Sequence, residues 1–275
     1  MKTYFEIVPN SFYEEDCSMV CEMSYEGVSF AIKHDRDQRF IGLGVYHFDK
    51  SRPLVGYPIA LDILINSRPF LNRKYHKISL VYSVKESVLI PFALYNRNTA
   101  ANAVSLLYGD VDDREKVMTD VISESQYFNC FRVNNRVTEV LENHYPDAAQ
   151  WHLYSSLVGS NKNSEAKLSV IFYSYKIIVA MYLNGRCMIV NTFPYQSAQD
   201  VSYYLLSVRN IFGLADVDLE VSGFIEQESS LYHELYKYFS KISFESLPEF
   251  CEFSEDIKQY PAHYFSHLFA LDACG

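Results

Sequence analysis

The chain has 275 residues, 49% hydrophobic and 21% charged, which suffices for a large core in one big domain or in two lobes of ordinary size. Its formal net charge of −10, with no Lys/Arg cluster to offset it locally, argues against sequence-independent nucleic-acid binding and against anionic membrane surfaces. No long polar tract marks a disordered region, so order is expected almost throughout.

The opening Met1-Lys2-Thr3-Tyr4-Phe5-Glu6 puts an acid where a secretion signal needs an apolar stretch. Residues 28–33 and 40–48 then read as strands, with Asp35-Arg36-Asp37 in the turn between them. Pro58 suits the first turn of a helix that Ser67-Arg68-Pro69 stops, and residues 77–82 read as a strand. Residues 100–107 and 135–143 have helical patterns, and residues 150–158 read as a strand. Gly159-Ser160-Asn161-Lys162-Asn163-Ser164 lacks apolar anchors and is the expected linker, giving an N-terminal lobe of residues 1–160 and a C-terminal lobe of residues 161–275.

Residues 168–173, 177–183 and 186–193 predict an antiparallel meander, because Asn184-Gly185 tolerates the positive φ angles of a tight hairpin. The run 177–183 is far shorter than the roughly 20 residues of a membrane helix. Ser197 stands three residues before Asp200, as in a capping box, and Val201, Tyr204, Leu205, Val208 and Phe212 follow at helical spacing up to Gly213. Residues 216–222 alternate as a strand, and after Gly223 a helix is expected over 230–239 with Leu231, Leu235 and Phe239 on one stripe. Beyond Pro248 the chain is aromatic and acidic, with a helical pattern at 263–271. The interval from Val28 to the strand at 77–82 nearly equals that from Leu168 to the strand at 216–222, which predicts a duplicated two-lobe α/β fold.

Few residues form a chemical constellation. His263 and His267 are spaced to face one metal on a helix, but no third ligand is evident, and packing histidines are the expected reading. Cys17 and Cys21 lack a second ligand pair; the six cysteines read as reduced thiols of a soluble cytoplasmic protein. Gly42 and Gly44 do not complete a dinucleotide fingerprint, and Asp110, Asp112 and Asp113 lack the spacing of a calcium loop. The 23 tyrosines and 19 phenylalanines exceed ordinary usage; most belong in a core, and a remainder suits a partner surface.

A meander, a helix, then a strand and helix, present twice, resembles the ribonuclease H-like lobes of the actin-like ATPase superfamily. Leu219-Glu220-Val221-Ser222-Gly223-Phe224-Ile225 with Ser230-Leu231-Tyr232 and Leu235-Tyr236-Lys237-Tyr238, and upstream Ser87-Val88-Leu89-Ile90-Pro91-Phe92-Ala93-Leu94-Tyr95, are similar to segments of an uncharacterised bacterial family with that fold. The resemblance covers nearly the whole chain and implies mixed sheets flanked by helices. Such ATPases use an Asp- and Gly-rich hairpin in each lobe to approach phosphate. Here the turn at 34–39 has carboxylates without glycine, Tyr173-Ser174-Tyr175-Lys176 has neither, and Gly223 is single where the superfamily has a pair. The expected function is therefore a non-catalytic or degenerate ATPase that binds an unidentified protein partner, without nucleic acid, membrane or metal. The alternative is a divergent ATPase or sugar-kinase-like phosphotransferase holding ATP and magnesium in the inter-lobe cleft, with Asp35, Asp37 and Gly223 as its binding residues.

Overall fold

A computed structural model describes residues 2–9, 11–48, 56–160, 165–247 and 251–272. The chain divides into two compact units: unit 1 comprises residues 1–155, 250–259 and 271–275, and unit 2 comprises residues 156–249 and 260–270.

Unit 1 begins with β1 (Lys2–Ile7), β2 (Cys17–Ser24), β3 (Gly27–His34) and β4 (Arg39–His47), followed by α1 (Tyr57–Ser67) and β5 (Lys77–Tyr82). Next come β6 (Ser87–Pro91), α2 (Arg97–Tyr108), β7 (Glu115–Ile122), β8 (Tyr127–Asn134), α3 (Asn135–His144) and β9 (Ala149–His152), and then α4 (Leu153–Gly159), whose residues from Ser156 on belong to unit 2. Unit 2 supplies β10 (Ala166–Phe172), β11 (Lys176–Leu183), β12 (Arg186–Pro194), α5 (Ala198–Ile211), β13 (Asp218–Gly223), α6 (Ser230–Leu235) and β14 (Ile242–Phe244). The C-terminal segment adds β15 (Glu252–Phe253), α7 (Glu255–Lys258) and α8 (Ser266–Asp272).

In unit 1 the main sheet runs β1-β4-β3-β2-β5-β9, with β15 also on β4, and β6-β8-β7 form a separate small sheet. In unit 2 the order is β12-β11-β10-β13-β14. Both main sheets thus contain an antiparallel meander whose first strand pairs in parallel with the strand after the helix: β2 with β5, and β10 with β13. Met19, Phe30, Leu61, Leu64 and Leu80 share the core of the first sheet, while Val170, Val179, Leu205 and Leu219 share that of the second.

Local signals account for several boundaries. Asn184 and Gly185 take φ angles of 49° and 78°, fitting the expected hairpin. Ser197 and Asp200 make the reciprocal capping box, and Pro58 sits in the first turn of α1.

Other expectations need correction. The strand β2 precedes the two anticipated in the N-terminal half, so Asp35 and Asp37 lie in the second hairpin of the meander, and the first is residues 24–27. The nearly equal intervals start from β3 in one half and β10 in the other, which occupy different positions in their sheets; the strand matching β10 is β2. The strand expected at 150–158 ends at His152 and turns into α4. The helix expected to reach Phe239 ends at Leu235. His263 lies in a short 3-10 turn before α8, so it does not share one regular helix with His267. Residues 161–164 of the expected linker lie outside the described residues.

Candidate functional site

In an open α/β sheet, the loops leaving two adjacent parallel strands diverge where the strand order reverses, and ligands favour the crevice outside those carboxyl ends. Here the two such corners lie beyond β10/β13 and beyond β2/β5.

The unit 2 corner contains Gly223. Its φ is +81°, and a Cβ there would stand 2.2 Å from the Phe172 carbonyl oxygen, so glycine is required by contact with the neighbouring strand as well as by conformation. The Phe224 amide donates to the same Phe172 oxygen at 2.8 Å, keeping the two segments together one residue beyond β13. Residues of the C-terminal segment then cover the turn. Tyr264 and Phe265 each set a ring edge-on to Phe224 at 6.0 Å. His263 lies 3.9 Å from Phe244 in a stack, with its Nε2 2.7 Å from the Ile225 oxygen. Burial moves the His263 pKa below its ordinary value, partly opposed by that hydrogen bond and by Glu226.

The adjoining β10–β11 turn is equally committed to its own packing. The Tyr173 amide donates to the Lys176 oxygen at 2.9 Å, and the Tyr195 hydroxyl donates to the Tyr173 oxygen at 2.8 Å. The Lys176 ammonium lies 5.2 Å from the centre of the Tyr173 ring.

In unit 1, the hairpin matching that turn is Ser24-Tyr25-Glu26-Gly27. It has the glycine that the turn at 34–39 lacks, but a Cβ on Gly27 would stand 2.1 Å from the Tyr46 oxygen, so the residue admits the neighbouring strand. Asp35 and Asp37 are drawn into local pairs. Asp35 accepts from the Ser18 hydroxyl at 2.7 Å and lies 3.1 Å from His76 Nδ1. Asp37 lies 3.3 Å from both Arg39 and His34. The structure therefore gathers Asp35 and Asp37 in one turn of unit 1 and puts Gly223 in unit 2.

The sequence reading missed a buried polar cluster beside the unit 1 corner. Asp120, on β7, accepts from the His152 amide at 2.7 Å and the Ser155 hydroxyl at 2.5 Å, holding the residue before α4 and a side chain of its first turn. Asn129 donates to Ser155 at 3.0 Å and accepts from Ser87 at 2.5 Å. Burial raises the Asp120 pKa, with the two donors opposing it. A serine, a histidine and an aspartate meet here, but their bonds do not form a nucleophilic relay. His152 Nδ1 accepts from the Tyr154 amide at 3.0 Å and Nε2 donates to the Val84 oxygen at 2.9 Å, so both ring nitrogens are engaged, while the Ser155 hydroxyl faces Asp120. Only a lone Asp in a strand pattern signalled this cluster, since its partners lie far along the chain.

Among the described residues, burial raises the pKa of each cysteine, Cys17 to about 11 and Cys21 and Cys187 to about 12, so none of them is an activated thiol. Among the described residues no group of three or more His, Cys, Asp or Glu could hold a metal ion, and no helix is long and apolar enough to cross a membrane.

The sequence profile of a family described as "Protein of unknown function (DUF3822)" matches residues 9–242. The chain belongs to that family. Among solved structures, this DUF3822 protein is similar to a Bacteroides thetaiotaomicron VPI-5482 protein with an actin-like ATPase fold and unknown function. The two are 18% identical with a TM-score of 0.76, covering 95% of this chain and 97% of the other. A chain of the PilM–PilN type IV pilus biogenesis complex is 9% identical with a TM-score of 0.57, covering 94% of this chain and 98% of that one. No curated protein matches the sequence. The DUF3822 chain thus has the actin-like ATPase fold, in agreement with the resemblance carried by residues 219–238 and 87–95.

Proposed function

We propose that this chain is a non-catalytic, cytoplasmic bacterial protein of the actin-like ATPase fold that acts by binding other proteins. The observation that carries this reading is the unit 2 corner: Gly223 is packed against the Phe172 backbone, and Tyr264 and Phe265 cover Phe224. A nucleotide cradle needs backbone amides and glycines turned toward a ligand, whereas here the Phe224 amide is bonded to the adjacent strand. The residues present do not fit ATP with magnesium. Asp35 and Asp37, engaged with Ser18, His76, His34 and Arg39, act as turn carboxylates in this reading.

Exposed apolar side chains support an interaction role. Leu106 is 85% exposed and Leu107 60%, side by side on α2, and Ile59 and Ile63 stand one turn apart on α1 at 60% and 52%. The presence of a chain of this fold in the PilM–PilN complex is consistent with a life in assemblies.

Calorimetry with ATP and magnesium tests the proposal. No heat of binding at millimolar nucleotide is expected; saturable micromolar binding, lost on Asp35→Asn or Asp37→Asn, would replace it with the phosphotransfer reading.

A further inference from the structure

From Asn98 to Tyr108, α2 carries no charged residue, although 21% of the chain is charged. Its inner stripe, Ala100 and Val104, packs with Ile90 and Cys130 of the small sheet. Leu107 continues that stripe beyond Val104, yet it is 60% exposed, so the sheet leaves it uncovered. Leu106 points the other way, on the stripe of the exposed Asn98 and Asn102, and is 85% exposed. Two adjacent leucines at one helix end therefore stand in water, where a surface helix ordinarily carries polar side chains.

The turn that follows is acidic, and its cations are already engaged. Gly109, at φ +85°, leads the chain off the helix into Asp110, Asp112 and Asp113. Arg114 grips Asp112 with two donors, Nε at 3.0 Å and Nη2 at 2.6 Å. Arg132 donates to the Tyr108, Gly109 and Asp110 carbonyl oxygens at 3.2, 3.2 and 3.5 Å, which caps the helix, and its Nη1 lies 3.6 Å from Glu115. Asp110 and Asp113 are both exposed, and among the described residues neither carboxylate has an ion pair or a hydrogen bond. Two carboxylates without a cation thus follow directly on the two leucines.

We propose that this end of α2 is a docking surface for a basic amphipathic segment of another protein, whose apolar side chains cover Leu106 and Leu107 and whose lysines or arginines face Asp110 and Asp113. The charges select among occupants. A chain of net charge −10 draws in a cationic partner and repels nucleic acid and anionic lipid. A second copy docked through the same face would bring Asp110 and Asp113 toward their own copies. The leucines supply apolar area to be removed from water, and the carboxylates supply orientation. Because Arg132 already holds the last carbonyl oxygens of α2, the partner's cations meet the aspartate side chains alone.

This rests on the interaction reading above and names its surface and partner chemistry, but its test is separate. The probe is a capped helical peptide of leucine and lysine only, added to the full chain, with glutamate in place of lysine as the control. The lysine peptide is expected to bind with micromolar affinity at low salt and more weakly as salt rises, and the glutamate peptide is expected not to bind. Leu106→Asn with Leu107→Asn should weaken the lysine peptide about tenfold or more. Asp110→Asn with Asp113→Asn should weaken it about threefold and flatten the salt dependence. Ile59→Asn with Ile63→Asn, at the exposed apolar pair of α1, should leave the affinity unchanged. No binding of the lysine peptide, equal binding of the glutamate peptide, or an affinity indifferent to the α2 substitutions would overturn the proposal. So would a dimer in sedimentation equilibrium that Leu106→Asn dissolves, because a second copy would then hold the face. If a variant fails to fold, the methyl resonances of Leu106 and Leu107 in the unmodified chain decide: they should shift on adding the lysine peptide, and unmoved methyls would refute the site. ATP binding by calorimetry would refute the non-catalytic reading and leave this one standing.

Discussion

In unit 1, β4 is flanked by β1 and β15, and the corner beyond β2 and β5 leads into a small inserted sheet whose Asp120 reaches the start of α4. In unit 2, the equivalent strand β12 is the last of its sheet among the described residues, and the corner beyond β10 and β13 is closed by Phe224 beneath rings of the C-terminal segment. The same strand order therefore serves two different ends. What distinguishes the units is how the edge and the corner are finished: by paired strands and a polar cluster in one, and by aromatic packing in the other.

The sharpest way to break the unit 2 corner is Gly223→Val. The side chain would meet the Phe172 backbone and force a β-branched residue to φ +81°, so a loss of about 2–5 kcal/mol is expected in urea unfolding. Gly213→Ala is the matched control, because its φ is +65° but nothing lies within 4 Å of its Cβ; about 1–2 kcal/mol is expected there. Equal losses at the two positions would show that Phe172 is not a barrier.

In the unit 1 corner, Asp120→Ala strands the Ser155 hydroxyl and the His152 amide and should cost about 1–3 kcal/mol by the same assay. Burial holds the Asp120 pKa above its unfolded value, so the unfolded chain releases this proton first as pH rises. The associated stability is present at acid pH and is lost as pH rises through the folded value; Asp120→Asn should flatten that part of the profile, and an unchanged slope would assign it elsewhere.

His263 has the opposite sign. With its pKa depressed by burial, its contribution is present above the ordinary histidine value and is lost as pH falls through the folded one. Amide protection over residues 262–270, measured against the intrinsic exchange rate at each pH, should therefore fall on acidification, and His263→Phe should remove that dependence. The smallest effect belongs to Asp37→Asn. It disturbs partly exposed pairs with Arg39 and His34, for which a change of under about 1 kcal/mol in thermal unfolding is expected.

The legible parts of the fold were those whose cause lies within a few residues. Asn184-Gly185, the Ser197–Asp200 box and Pro58 act through local φ angles and end-group hydrogen bonds, and each marks its element in the structure. β2 was missed because its apolar members are mainly Cys and Met, with the buried Ser18 and Glu22 among them, so it lacks the β-branched look of a strand. That one omission moved the expected phosphate hairpin from residues 24–27 to residues 34–39. The reading of 150–158 as a single strand failed because the chain turns at His152, whose own ring accepts from the Tyr154 amide in the first turn of α4, while its amide is held by Asp120, more than thirty residues earlier.

By itself the sequence determined the order of strands and helices in the C-terminal half, the resemblance to an actin-like ATPase family, and the acidic balance, because periodicity, turn chemistry and charge are local or additive. Only the tertiary structure decided what Gly223 is for, which hairpin is first, and which sheet edge is covered. Those depend on Phe172, Tyr46, β1 and the C-terminal rings approaching from distant parts of the chain, and no local pattern encodes a distance between them.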